Sequence, residues 1–119
     1  MGSEPEIIDM VQQATNEFKT IDGLLANAGI AGIGAAHETS LKDWNNLINV
    51  SLTGKWLCAK HLLPHMMANK FGSIIFQSSI CALNGFPNLV AYSAAKGAIA
   101  AITRQMATDY GEYNIRINA

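Results

Sequence analysis

Apolar positions along this chain switch between two spacings, and the switches set the order of elements. Ile7, Ile8, Val11, Ala14 and Phe18 recur at helical intervals. Pro5 suits a first helical turn, where its missing N–H costs nothing, so a helix is predicted from about Pro5 to Phe18. Leu24, Leu25 and Ala26 then form a short run without alternation, the pattern of a strand covered on both faces, and Gly29 is expected to end it. Residues 30–38 place Gly32 and Gly34 among alanines and read as loop. Ser40 with Asp43 makes a helix cap, followed by Trp44, Leu47 and Ile48 on one face. A long helix is predicted from about Leu52 to Ala68, with Trp56, Leu57, Leu63, Met66 and Met67 as its apolar members and Pro64 as a candidate kink. After a turn at Asn69–Gly72, Ser73 to Ser78 contains Ile74, Ile75 and Phe76 and reads as a second buried strand. Gly85 and Pro87 mark a loop. An alanine-rich helix runs from Tyr92 to Tyr110, with Gly111 expected to close it, and Ile115-Arg116-Ile117 begins a third strand.

Buried strands joined by helical connections of this length form parallel pairs with right-handed crossovers. The expected fold class is α/β: a partial, Rossmann-like doubly wound parallel sheet of three strands with flanking helices. Three strands leave both sheet edges open, and such sheets normally hold more. Residues 1–119 are therefore read as a single partial domain, part of a larger one.

Composition narrows the functional classes. The formal net charge of −1 offers no field for nucleic acid. No apolar run is long enough to span a bilayer, and the polar, acidic start carries no secretory signal. Cys58 and Cys81 lack disulfide-framework or metal-site spacing; two buried thiols in a reducing, cytoplasmic setting are expected. Asn49-Val50-Ser51 matches a glycosylation acceptor by chance in that reading. His61 and His65 stand four apart without the remaining ligands of a zinc motif, so no metal is expected and they read as surface or interface residues. Trp44 and Trp56 read as packing residues.

The chemistry gathers elsewhere. Tyr92 and Lys96 are four apart, on one helix face, and Ser79 precedes Tyr92 by 13 residues. A free tyrosine titrates near about 10, so a phenol serves as general acid or base near neutrality only with its phenolate stabilised, and a nearby cation does that. Ser79 follows a buried strand, and open α/β sheets bind ligands beyond the C-terminal ends of their strands. The loop from Ile80 to Ala91 is long enough to return Tyr92 to that crevice. Asn27 and Gly29 end another strand on the same edge, and Asn49 lies in the helix that follows. Cys81, Leu83, Phe86 and Leu89 are candidate pocket walls, and His37 a candidate substrate contact.

Taken together, Asn27-Ala28-Gly29, Asn49 within NVSLTG, Ser79, and Tyr92 to Lys96 in YSAAK resemble the short-chain dehydrogenase/reductase family in order and spacing over nearly all 119 residues. The resemblance implies an NAD(P)-dependent oxidoreductase that moves a hydride between nicotinamide and a carbonyl or secondary alcohol. It implies Tyr92 as general acid/base, Lys96 as its partner and ribose ligand, Ser79 as the group that orients the substrate oxygen, and Asn49 as support for a water linked to the lysine. Asn27, Ala28 and Gly29, with Tyr92 and Lys96, would be cofactor-binding, the cofactor being NAD or NADP. Ala26 stands where the family usually has another asparagine. The family's glycine-rich phosphate turn is absent, so the N-terminal nucleotide-binding half is missing and the isolated chain is expected to be weak or inactive. The full-length form is expected to be a homo-oligomer. The alternative is a truncated, non-enzymatic fragment that associates with full-length subunits or is unstable.

Overall fold

A computed structural model describes residues 3–119. Helix α1 (Glu4–Glu17) carries Pro5 in its first turn, and Glu4 and Glu6 complement the positive helix N-terminus. Strand β1 (Gly23–Ala26) leads through a long loop to α2 (Leu41–Ile48). There the Ser40 hydroxyl accepts the Asp43 N–H at 3.1 Å and donates to Asp43 Oδ2 at 2.6 Å, the cap expected from sequence. A π-helical stretch, Asn49–Thr53, joins α2 to α3 (Gly54–Asn69) without a break. The sequence predicts a fresh helix near Leu52; instead one continuous helical rod widens at Asn49. Pro64 lies inside α3.

Strand β2 (Gly72–Phe76), helix α4 (Val90–Tyr110) and strand β3 (Ile115–Asn118) complete the chain. The sheet order is β1-β2-β3, all parallel, with Ala26 beside Phe76 and Gly72 beside Ile115. Ala26, Ile74, Phe76, Ile115 and Ile117 point into a core completed by Ala59, Leu62, Leu63 and Met66 of α3 and Ile99 and Met106 of α4. Helix α1 adds Ile7 against Leu57 and Cys58.

One expectation changes here. The strands alternate between buried and exposed positions, so the described helices cover one face of the sheet rather than two. Leu25 and Ile75, partners in register, are 66% and 47% exposed on the other face. Apolar composition alone had suggested two covered faces. As expected, α4 ends at Tyr110 with Gly111 at its C-cap; the φ of −60° there leads into a 3₁₀ turn, and Asn114 reverses the chain at φ 58°. The Asn114 side-chain amide donates to Lys70 O at 3.2 Å, tying that turn to the left-handed turn at Lys70. Gly72 is required by close approach, since a Cβ there would lie 2.5 Å from Met66 Sδ.

Candidate active site

The C-terminal ends of β1 and β2 anchor the segments that carry the candidate residues, and Tyr92 and Lys96 meet there. After β1 the backbone turns at Asn27, whose N–H donates to Leu25 O at 3.0 Å. The following loop is pinned by Ser51, from the π-helical stretch: its buried hydroxyl accepts Ile30 N–H at 3.1 Å and donates to Ile30 O at 3.2 Å. Gly29 packs close beneath, where an added Cβ would meet Ser51 Oγ at 3.4 Å and Lys55 Cε at 3.9 Å. The expected strand end at Gly29 moves back to Ala26, which places Asn27, Ala28 and Gly29 in the loop beyond the sheet.

After β2 the chain passes Gln77, Ser78 and Ser79. Lys96, on the buried face of α4 and 5% exposed, donates its ammonium to Gln77 O at 2.9 Å. Ser78 donates to Lys96 O at 3.1 Å, so strand end and helix are fastened by two bonds running in opposite directions. Tyr92, one turn earlier, is half-buried, and its ring centroid lies 5.3 Å from Lys96 Nζ. Tyr92 and Lys96 thus meet as their spacing predicted.

Ser79 caps the 3₁₀ turn Ile80–Ala82 by accepting Cys81 N–H at 3.2 Å. As an acceptor there, the hydroxyl keeps its own proton to donate. It opens onto a cleft of about 420 Å³ lined also by Ser78, Ile80, Leu83 and Ala100. Leu83 is thus a wall of this cleft, whereas Cys81, Phe86 and Leu89 lie outside its lining. Leu89 instead pairs with Gly34 through the backbone. Asn49 opens the π-helical stretch and is exposed. His37 is exposed, with its ring 3.9 Å from Glu38 rather than in the cleft.

Sequence reading missed Lys55. It is 0% exposed, and its ammonium donates to Gln77 O at 2.9 Å and to Asn27 O at 3.3 Å. Two lysines from different helices therefore converge on one carbonyl. Burial pushes the Lys55 ammonium down to about 8, with the charge of Lys96 adding to the effect. A signal was available: Lys55 shares the helical face of Ser51, Ala59, Leu62 and Met66, all buried. One turn further, burial holds the Cys58 thiol above its ordinary range.

The histidines and tryptophans have other work. His61 meets Glu4 Oε1 at 2.8 Å, beside Lys60 at 2.7 Å. His65 Nε2 accepts Ile21 N–H at 3.2 Å. Trp56, expected to pack in the core, is 42% exposed with Lys60 Nζ 5.3 Å from its ring centre, whereas Trp44 is half-buried against the small cluster of Leu47, Ala91 and Ala95.

Comparison with known proteins accords with this geometry. A short chain dehydrogenase family profile matches residues 1–119. The chain is 42% identical over 115 residues to inactive 2-(S)-hydroxypropyl-CoM dehydrogenase 2 of Xanthobacter autotrophicus, an overlap of 97% of this chain and 50% of that protein. It is 42% identical over 117 residues to cis-4-hydroxycyclohexanecarboxylate dehydrogenase of Sinomonas cyclohexanicum, covering 98% of this chain and 47% of that one. The solved structure of ElxO with NADP bound matches with a TM-score of 0.96 at 33% identity, over 99% of this chain and 48% of ElxO. The chain spans about half the length of the relatives it matches. With a profile match from end to end and these relatives beside it, the chain belongs to the short-chain dehydrogenase family.

Proposed function

We propose that this chain carries the proton-transfer half of an NAD(P)-dependent oxidoreductase acting on small alcohols and carbonyls. One observation carries the reading: Tyr92 and Lys96 sit together at the C-terminal edge of the sheet, Lys96 held on the Gln77 carbonyl. Relatives named as dehydrogenases of 2-(S)-hydroxypropyl-CoM, cis-4-hydroxycyclohexanecarboxylate and meso-2,3-butanediol, and ElxO with NADP bound, support it.

The donor set fits the nicotinamide-ribose end of a dinucleotide. Asn27, Ala28 and Gly29 offer loop backbone at the same sheet edge, and the Lys96 ammonium has further protons to give ribose hydroxyls. These residues supply no glycine-rich phosphate cradle. When bound, a reduced nicotinamide supplies a hydride to the carbonyl carbon and is itself oxidised. Tyr92 gives its hydroxyl proton to the carbonyl oxygen as the C=O π bond breaks, and takes it back in the oxidative direction. Ser79 donates its remaining O–H to that oxygen and fixes its position. Lys96 keeps a positive charge beside the ring that exchanges the proton. Asn49, at the widened turn, orients a water toward the lysine side of the site. The α3–α4 face bearing Trp56 is read as the surface through which copies pair.

Titrating the chain with NADH and NADPH, then assaying secondary alcohols and ketones, tests this. Weak dinucleotide binding is expected of these residues alone; in the full-length form, Tyr92→Phe should lower turnover by about 10²- to 10⁴-fold while sparing cofactor binding. Undiminished turnover in Tyr92→Phe would remove Tyr92 from the chemistry. No dinucleotide binding at all would favour the associating, non-enzymatic role.

A further inference from the structure

Lys55 has no part in the mechanism above, yet it is the largest fully buried side chain in the molecule's described core. Among the described residues no carboxylate forms an ion pair with it. A lysine in that position is held by backbone oxygens alone, an arrangement that costs stability unless it serves the site.

The surroundings of its head group are specific. The residues just beyond β1 and β2 contribute the carbonyls of Asn27 and Gln77. Helix α4 contributes Lys96, on the same Gln77 oxygen, with Tyr92 beside it. The π-helical stretch contributes the neutral Ser51 hydroxyl, which shares the space beside Gly29 with the Lys55 side chain. Two ammonium groups each 2.9 Å from one oxygen cannot be more than about 6 Å apart. At that separation, charge on one acts strongly on the other.

We propose that Lys55 is a positioning residue for the Tyr92–Lys96 pair: it ties the Gln77 carbonyl that Lys96 rests on to the Asn27 carbonyl, and its charge state is coupled to that of Lys96 through the shared Gln77 oxygen. The coupling is reciprocal by thermodynamic necessity. Below about pH 8 a second cation lies under the site; above it Lys55 is a neutral amine that still holds both carbonyls. The catalytic side of this inference rests on the oxidoreductase reading; the coupling itself does not.

The test is a ¹³C NMR titration of the chain labelled at the lysine ε-carbons, with the Lys55 signal assigned by its loss in Lys55→Met. In the wild type that signal is expected to titrate near pH 8, apart from the exposed lysines. In Lys96→Met it should move up, toward the exposed lysines, because the like charge is gone. A Lys55 signal that titrates with the exposed lysines, or is unmoved by Lys96→Met, overturns the proposal. Where turnover is measurable, Lys55→Met should shift the pH profile of activity, and a profile overlaying the wild type also overturns it. Absent turnover in the wild type would count against the oxidoreductase reading, while the titration still decides the coupling.

Discussion

Replacing Lys55 by methionine should change how folding stability depends on pH, and the sign is fixed by the site. Folding lowers the Lys55 pKa from 10.5 to about 8. Between those values the unfolded chain holds a proton that the folded chain has released, so the Lys55 contribution rises with pH across this window. The cost of the buried charge is fully present below about 8 and disappears above 10.5. At about 1.4 kcal/mol per pH unit, the fall from 10.5 to about 8 amounts to at most about 3.5 kcal/mol. Methionine is close in length and carries no charge. Lys55→Met should therefore gain stability relative to wild type near neutral pH, with the gap narrowing by about 1–3 kcal/mol toward pH 10.5.

The assay is urea unfolding followed by tryptophan fluorescence, at closely spaced pH values, on both proteins. The difference between them matters, not either slope. Cys58, whose thiol burial holds above its ordinary 9.0, contributes with the opposite sign: its folded state retains a proton that the unfolded state loses, so stability falls as pH rises past 9.0. Both proteins carry Cys58, and the comparison removes it. Parallel stability curves for wild type and Lys55→Met would refute the argument that folding desolvates this lysine.

Gly72→Ala should destabilise by about 1–3 kcal/mol, because the new Cβ meets buried Met66 at Sδ and also at its Cβ, 3.1 Å away, which no rotamer change can move; in a double-mutant cycle with Met66→Ala, measured by urea unfolding, the two costs should add to less than their sum. Ser40→Ala should cost about 1 kcal/mol through loss of the Asp43 N–H cap, read from the same unfolding curves, and an unchanged midpoint would show that α2 starts independently of the cap.

Several elements could be read from residues alone because their causes are local. Pro5 and the 3.6-residue spacing of Ile7, Val11 and Phe18 identify α1, and Ser40 with Asp43 identifies the start of α2. Spacing alone also brings Tyr92 and Lys96 to one face of α4, as does any i, i+4 pair on a helix. Register, coverage and charge burial are different, since each depends on residues far apart in sequence. Leu25 and Ile75 are as apolar as strands covered on both sides, but only the placement of α1, α3 and α4 on a single face decides that they are exposed. The widening at Asn49–Thr53 likewise has no local breaker to announce it. Lys55 is the sharpest case. A lysine in a helix reads as solvent-facing, and it becomes part of the site because α3 turns it toward two strand ends while α4 brings Lys96 to the same oxygen. Sequence determined the order of elements and the identity of the Tyr92–Lys96 pair; tertiary structure decided which backbone carbonyls hold that pair and which second charge lies beneath it, because those contacts join segments 19 to 28 residues apart.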